Sequence, residues 1–443
     1  GVILLVQNPA SPIVRITLDG GIPAAVTRLE RGHAGHAFPR FLPDGRRFLY
    51  FVQGSAEVRG VYVGQLNGGA TRKLFDADSA AVYASGHLLF VRGATLYAQL
   101  FDLTKGDVTG SPLSVANDVM GSMLANARAG LSAGGGSVAF RVGSAHAERQ
   151  FTWIDRSGHE VRKVGAPDSG DALSPSISPD GKSVAFLRRV DGNTGVWLLE
   201  TRRGLLSRFT DHAAENIFPA WSPDGTRIAF TSTRDGRFDL YQRGTTGVGV
   251  DELLLPSAEE TFACDWSPDG RLLLYQRRSV ETGFDLWALP LGGTAKPFPV
   301  SQTPFEEKDG QFSPDGKRIA FQSNRSGRFE LYVQSFPGPG TPLRVSTNGG
   351  AQVRWRPDGH ELFYIALDGR LMAAPLQTRA DGELDVNIPV PLFATHIGRV
   401  ITAVGAQYVV SRDGQRFLMN TVVEDTHQTP IRVIVNWRPR PRE

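Results

Sequence analysis

Short apolar runs alternate with tight polar breaks over nearly the whole chain. The pattern is clearest between residues 216 and 256. "IFPAW" and "RIAFTS" are apolar or alternating over five or six residues, which is strand patterning. Between them stands Pro223-Asp224-Gly225, a turn with a mechanism. Proline presets φ, the aspartate side chain can bond nearby backbone, and glycine accepts positive φ. "FDLYQR" reads as a third strand and "DELLLP" as a fourth. Four strands with short loops in ~45 residues make one antiparallel sheet, the blade of a β-propeller. No stretch shows a sustained helical period with caps, so an all-β chain with very little helix is expected.

The unit repeats. "AWSPDGTRIAFTSTRDGRFDLY" (220–241) returns as "QFSPDGKRIAFQSNRSGRFELY" (311–332). Pro-Asp-Gly occurs at 43–45, 179–181, 223–225, 268–270, 314–316 and 357–359, and Arg412-Asp413-Gly414 is a degenerate copy. From Gly181 the glycines step by 44, 45, 46, 43 and 55 residues, the last step holding the insertion "TRADGELDVNIPVP". Weaker copies fall at Gly86 and Gly135. Five residues after each well-marked glycine stands a large apolar residue: Tyr50, Phe140, Phe186, Phe230, Tyr275, Phe321, Tyr364 or Met419. Another follows in the central copies as Trp197, Tyr241, Trp287 and Tyr332. Asp180-Gly181, Asp224-Gly225, Asp269-Gly270, Asp315-Gly316 and Asp358-Gly359 are therefore read as structural turn positions. Arg234 and Arg325 stand five residues before Asp239 and Glu330, across the loop joining the second and third strands, and Asp285 occupies the same place. An arginine–carboxylate pair tying that loop is expected. A residue type repeated in every blade supports the blade, because a binding site needs it only once.

Counting anchors divides the chain. From "EVRKVG" (160–165) onward there are six, at 180, 224, 269, 315, 358 and 413. The last unit supplies three strands, "AQYVVS", "RFLMNT" and "IRVIVNW", and "EVRKVG" is a spare outer strand that would complete it. Residues 160–443 are thus expected to form a six-bladed propeller closed by pairing of its two ends, which removes exposed sheet edges. Residues 1–159 would hold a partial propeller of about four units, two of them incomplete. One large ring using every hairpin is the rival arrangement. The chain opens at Gly1 inside an apolar run, which suggests a piece of a longer protein.

Composition agrees with this reading. Gly 50 and Pro 28 make up about 18% of 443 residues, more punctuation than a helical protein needs. The net charge of +3 is spread along the chain without a block of like charges, so no nucleic-acid partner is expected. The arginines of the tail "NWRPRPRE" read as a solvated end. Cys264, the only cysteine, can form no internal disulfide and reads as a small buried residue. No apolar run approaches the ~18 residues of a membrane span.

"WSPDG.RIAF.S.R.GRFDLY" resembles the WD40-like, TolB-type propeller repeat, over essentially the whole chain. "HAFPRFLPDGRRFLYFV", "GHLLFVRGATLYAQLFD", "FTWIDRSG", "WRPDGHELFYIALDGRLMAAPL", "DGQRFLMN" and "VIVNW" together resemble the C-terminal propeller region of bacterial receptor-like serine/threonine protein kinases. That resemblance implies a sensor or interaction region outside the cytoplasmic membrane, with a membrane anchor upstream. The kinase motifs themselves are absent from this sequence: there is no Gly-rich loop, no His-Arg-Asp loop and no Asp-Phe-Gly.

No catalytic constellation, cofactor motif or metal set emerges. "SPDGKS" ends like a phosphate loop, but Ser176 stands where that motif needs glycine, and Lys182 reads as a turn residue. His33 and His36 lack a third ligand and read as loop histidines at the position of Asn216. No Gly-x-Ser-x-Gly occurs, which leaves no hydrolase within the chain. The one positive signal is acidic. The loops entering the inner strands carry Glu215, Glu259, Glu260, Glu306, Glu307 and Asp309, so three successive blades would line the channel mouth with carboxylates. The expected function is a non-catalytic propeller that binds a protein, a peptide or a small-molecule signal. The alternatives are a peptidase propeller of the prolyl-oligopeptidase type without its hydrolase, and a TolB-like periplasmic scaffold.

Overall fold

The computed structural model describes residues 1–7, 11–55, 57–119, 129–134, 136–142, 148–170, 172–190, 193–246, 249–338, 340–380, 382–397, 400, 405–423 and 431–437. Among them every regular element is a β-strand, and every paired strand runs antiparallel to its neighbour. The repeat anchor at Gly135 and the tail arginines at 438, 440 and 442 lie outside the described residues.

Each sheet grows from its turn. Ser222 Oγ donates to Asp224 at 2.5 Å and accepts the Arg227 N–H at 3.0 Å, while Asp224 accepts the Thr226 N–H at 3.0 Å. Gly225 closes the turn at φ +72°, where a β-carbon would be strained. The same arrangement recurs at Ser178/Asp180, Ser267/Asp269, Ser313/Asp315 and Ser411/Asp413. At Asp358 the serine is replaced by Arg356, and the aspartate keeps its bond from the His360 N–H, at 3.0 Å, and pairs with the Arg356 guanidinium at 3.2 Å.

The turn fixes the register of the strands that follow. Phe186 falls opposite Trp197, Phe230 opposite Tyr241, Tyr275 opposite Trp287 and Phe321 opposite Tyr332. Aromatic cross-strand pairs of this kind hold a pleated sheet together. They also supply the core, since Phe230 and Phe321 are fully buried.

The chain divides into two compact units, Gly1–Ala145 with Asp425–Glu443, and His146–Glu424. The larger unit holds six sheets among the described residues. The first runs Leu173–Ile177, Ser183–Val190, Asn193–Glu200, Leu206–Arg208, and the second Asn216–Trp221, Arg227–Ser232, Asp239–Gly244, Glu252–Leu255. The third runs Glu260–Trp266, Leu272–Ser279, Gly283–Pro290, Phe298–Ser301, and the fourth Glu307–Phe312, Arg318–Ser323, Glu330–Ser335, Leu343–Arg344. The fifth contains Ala351–Trp355, Glu361–Ile365 and Arg370–Thr378. The insertion after it is not a plain loop: Leu384–Val386 and Val390–Ala394 both pair with Arg370–Thr378.

The sixth sheet joins the two ends of the unit. Tyr408–Val410 and Arg416–Val422 pair with Arg149–Asp155, which in turn pairs with Glu160–Asp168. The smaller unit has a three-stranded sheet from Val2–Val6 to Gly20–Ala25, two four-stranded sheets spanning His33–Phe75 and Val82–Ala116, and a three-stranded sheet. That last sheet is built from Leu131–Gly134, Ser137–Arg141 and the terminal strand Ile431–Ile434.

This partition differs from the boundary expected at 159/160. "QFTWID" belongs with the larger unit, because Arg149–Asp155 pairs along its whole length with Arg416–Val422. "IRVI" belongs with the smaller one, where Val433 lies opposite Ala139. Both ends of the larger unit therefore connect to neighbouring strands of a single sheet in the smaller unit. The sequence pattern marks each strand but not which anchor it serves.

Candidate binding site

The first strands of the six sheets surround one cavity of about 220 Å³ in the larger unit. Each of these strands ends on an apolar residue just before its turn: Ile177, Trp221, Trp266, Phe312, Trp355 and Val410. Most of them also carry a bulge. Ser174, Phe218, Asp309 and Gln352 sit at φ between 52° and 61° where the register slips. A bulge bends its strand and re-aims a side chain. Ser174, Phe218 and Asp309 line the cavity.

Neighbouring sheets are stitched around it. The Trp266 indole donates to the Ala220 carbonyl at 3.0 Å and the Trp355 indole to that of Gln311 at 3.2 Å. The Trp221 N–H reaches Ser176 Oγ at 3.2 Å, and the Phe312 N–H reaches Asp265 Oδ2 at 2.9 Å. At the turn end, a β-carbon on Gly225 would lie 3.6 Å from Pro179 of the preceding sheet, and one on Gly270 would lie 3.4 Å from Pro223.

The charged lining comes from three consecutive sheets: Asp265, Asp309 and Arg354. Desolvation pushes the Asp265 carboxyl up to about 7, against the Phe312 N–H and the Arg354 charge, which favour ionisation. Enclosure likewise raises Asp309, with Arg354 and Lys308 opposing it. The same burial raises the Cys264 thiol far above its ordinary value, so it is no nucleophile at neutral pH. Cys264 is nonetheless not simply core, because it faces the cavity.

The acidic rim expected from the sequence is largely neutralised. Glu259 pairs with Arg277 at 2.9 Å, Glu260 with Arg278 at 3.0 Å, and Glu306 with Lys308. Glu307 is fully buried and accepts from Thr303 Oγ1 at 2.6 Å and Arg325 at 3.2 Å. Glu215 holds Thr233 through backbone bonds, and Asp309 lies within the cavity.

The loop pairs also differ from expectation. Arg234 does not meet Asp239, nor Arg325 Glu330. Arg234 turns back over the Tyr241 ring, 4.3 Å from its centroid, to Asp251 at 2.6 Å and Asn216 at 3.3 Å. Arg325 likewise covers Tyr332 and reaches Glu307 on the inner strand. The carboxylates point the other way: Glu330 accepts from Ser346 Oγ and the Gly349 N–H, and Asp285 from Thr282 Oγ1 at 2.7 Å. Stacking on the ring leaves the in-plane N–H groups of each guanidinium free, and they are taken by Asp251 and Asn216 in one sheet and by Glu307 in the other. In the smaller unit the histidines are in a strand rather than a loop. His36 is 1% exposed and bonded to Thr27 at 2.8 Å and His33 at 3.0 Å.

Asp265, Gln311 and Arg354 were missed by sequence reasoning, although a signal exists. They occupy one repeat position, filled in turn by Ser176, Ala220, Asp265, Gln311, Arg354 and Val409. The residues around that position recur from sheet to sheet, and it does not.

The fold is a β-propeller of antiparallel sheets. Residues 144–291 match the family profile of the TolB beta propeller domain. The chain is similar to the putative TolB from Agrobacterium tumefaciens at 19% identity, over 63% of this chain and 99% of that one, with a TM-score of 0.49. TolB from Acinetobacter baumannii is 16% identical over 80% of each chain, with a TM-score of 0.43. The tricorn protease is 15% identical over 97% of this chain and 42% of that one, with a TM-score of 0.29. No curated protein matches the sequence. No helix among the described residues is long and apolar enough to cross a membrane.

Proposed function

We propose that the unit His146–Glu424 is a six-bladed, non-catalytic binding propeller, and that the end of the channel where the inner strands begin docks a peptide segment of a protein partner. The loops between second and third strands open at this end, together with those entering the inner strands. One observation carries the reading: Val280, Phe305 and Leu367 stand there on three consecutive sheets at 54%, 42% and 41% exposure. Beside them Phe284 and Phe329 are half-buried, with Lys308 4.5 Å from the centre of the Phe284 ring. Aromatic and apolar anchors flanked by internally paired charges suit a desolvated protein contact better than a steering field. Placement in an extracytoplasmic sensor of a larger receptor kinase rests on the resemblance of the quoted segments. The alternative reading as a TolB-like scaffold is compatible with the same docking end.

The test is a selection of displayed peptides on the immobilised chain. Selected peptides should lose most of their affinity for a Val280→Ser/Phe305→Ser/Leu367→Ser variant and keep it for Val250→Ser, which alters an exposed residue on a loop at the turn end. Peptides indifferent to the triple variant would contradict the reading.

A further inference from the structure

The cavity contains two opposite charges that do not satisfy each other. The Asp309 carboxylate has no hydrogen bond or ion pair among the described residues; only its backbone N–H is engaged, with Gln276 at 3.4 Å. Among the described residues the Arg354 guanidinium makes one hydrogen bond, from Nη1 to the Val353 carbonyl at 2.7 Å, and no ion pair. Both face the same enclosed space. Enclosed charges left without a partner are costly unless something completes them. The rim carboxylates of Glu259, Glu260, Glu306 and Glu307, by contrast, are paired within the protein.

We propose that the channel binds a small zwitterion of the α-amino-acid class, with its ammonium group at Asp309 and its carboxylate at Arg354. The proposal rests on the reading of this unit as a binding propeller and goes beyond it. A single cation would be opposed by Arg354 and a single anion by Asp309, whereas a zwitterion meets both. Arg354 suits the anionic end, because its planar fork can grip a carboxylate through two parallel bonds. Size points the same way: about 220 Å³ lies below the ~300–1,000 Å³ of sites for drug-sized ligands. The rest of the lining mixes polar groups, Ser174, Ser176 and Gln311, with Phe218, Trp221 and Val409, which are available to an apolar side chain. Asp265 already accepts the Phe312 N–H, which leaves Asp309 as the cavity carboxylate without a hydrogen bond among the described residues.

The test is calorimetry and thermal denaturation of the whole chain with each proteinogenic L-amino acid at millimolar concentration. For the best binder, its N-acetyl derivative and its amide are then measured; these lack the cation and the ionised carboxylate respectively. At least one amino acid should bind, and both half-molecules should bind at least about tenfold more weakly. Asp309→Asn and Arg354→Gln should each weaken binding by at least about tenfold, with unfolding curves showing that the variants are folded. If no amino acid binds the unaltered chain, or if a half-molecule binds as well as its parent, the proposal is overturned. Peptides selected on the outer rim would be unaffected by that result, so the two readings fail separately.

Discussion

Phe230 and Tyr241 face each other across the second and third strands of their sheet, with ring centroids 6.1 Å apart and planes at 23°. Phe321 and Tyr332 repeat the pair at 6.0 Å and 29°. Phe230 is fully buried against Ile228, Val196 and Tyr241. Phe230→Ala should lower stability by about 3–5 kcal/mol, read from denaturant unfolding of the full chain. A loss under 1 kcal/mol would mean that the pair does not hold the sheet.

The serine of each turn is as structural as its aspartate. Ser222 is fully buried and joins the Asp224 carboxylate to the Arg227 N–H. Ser222→Ala should cost about 1 kcal/mol. Ser222→Thr should recover part of it if the cavity tolerates a methyl group. Equal stability for all three proteins would remove the hydroxyl from the account.

The two units should respond to acid in different windows. The Ser178 and Ser222 hydroxyls, aided by backbone N–H groups, hold Asp180 and Asp224 down to about 2. Their folded pKa lies below the unfolded value of ~3.9, so the stability they supply is complete above that value and is lost as pH falls towards 2. His36 behaves differently. Burial, and then the neighbouring His33, lower it to about 3 from 6.5. The unfolded chain takes up its proton first, so the smaller unit should weaken as pH falls from about 6.5 towards 3. Following Trp437, which is buried in the smaller unit, should show a decline that His36→Gln flattens. A decline that persists unchanged in this variant would assign it elsewhere.

Asp251, not Asp239, should be the sensitive carboxylate of its loop. Asp251 takes both Arg234 and Arg243, with the three side chains between 7% and 14% exposed. Removing it takes the ion-pair partner of Arg234 and one of the two of Arg243, which keeps Asp211 at 3.1 Å, so Asp251→Ala should cost about 3 kcal/mol. Asp239 has one carboxylate oxygen without a partner and is raised by desolvation. Asp239→Asn should therefore change stability by less than about 1 kcal/mol. The reverse order would restore the forward pairing with Arg234.

The repeat was legible because turns and cross-strand pairs are local. Pro-Asp-Gly followed five residues later by an aromatic fixes a hairpin within one blade, whichever blade it is. Three things were not legible. The destination of Arg234 depends on Tyr241 offering its face, which spacing along the chain cannot reveal. The cancellation of the acidic rim depends on Arg277 and Arg278 folding back from the second strand of the same sheet. The exchange of terminal strands depends on pairing between residues more than 250 positions apart, such as Thr152 with Met419. Asp265 and Arg354 escaped for the opposite reason, since they break the repeat that the sequence reading was built to follow.

The central claim is that the larger unit is closed by the strand Arg149–Asp155 and does not need the terminal strand Ile431–Ile434. Two fragments decide it, residues 146–424 and residues 160–443, compared by circular dichroism and thermal unfolding. The account predicts that 146–424 folds cooperatively. It also predicts that 160–443, deprived of the strand between Arg416–Val422 and Glu160–Asp168, unfolds at much lower temperature or aggregates. A stable 160–443 beside an unfolded 146–424 would contradict the closure described here.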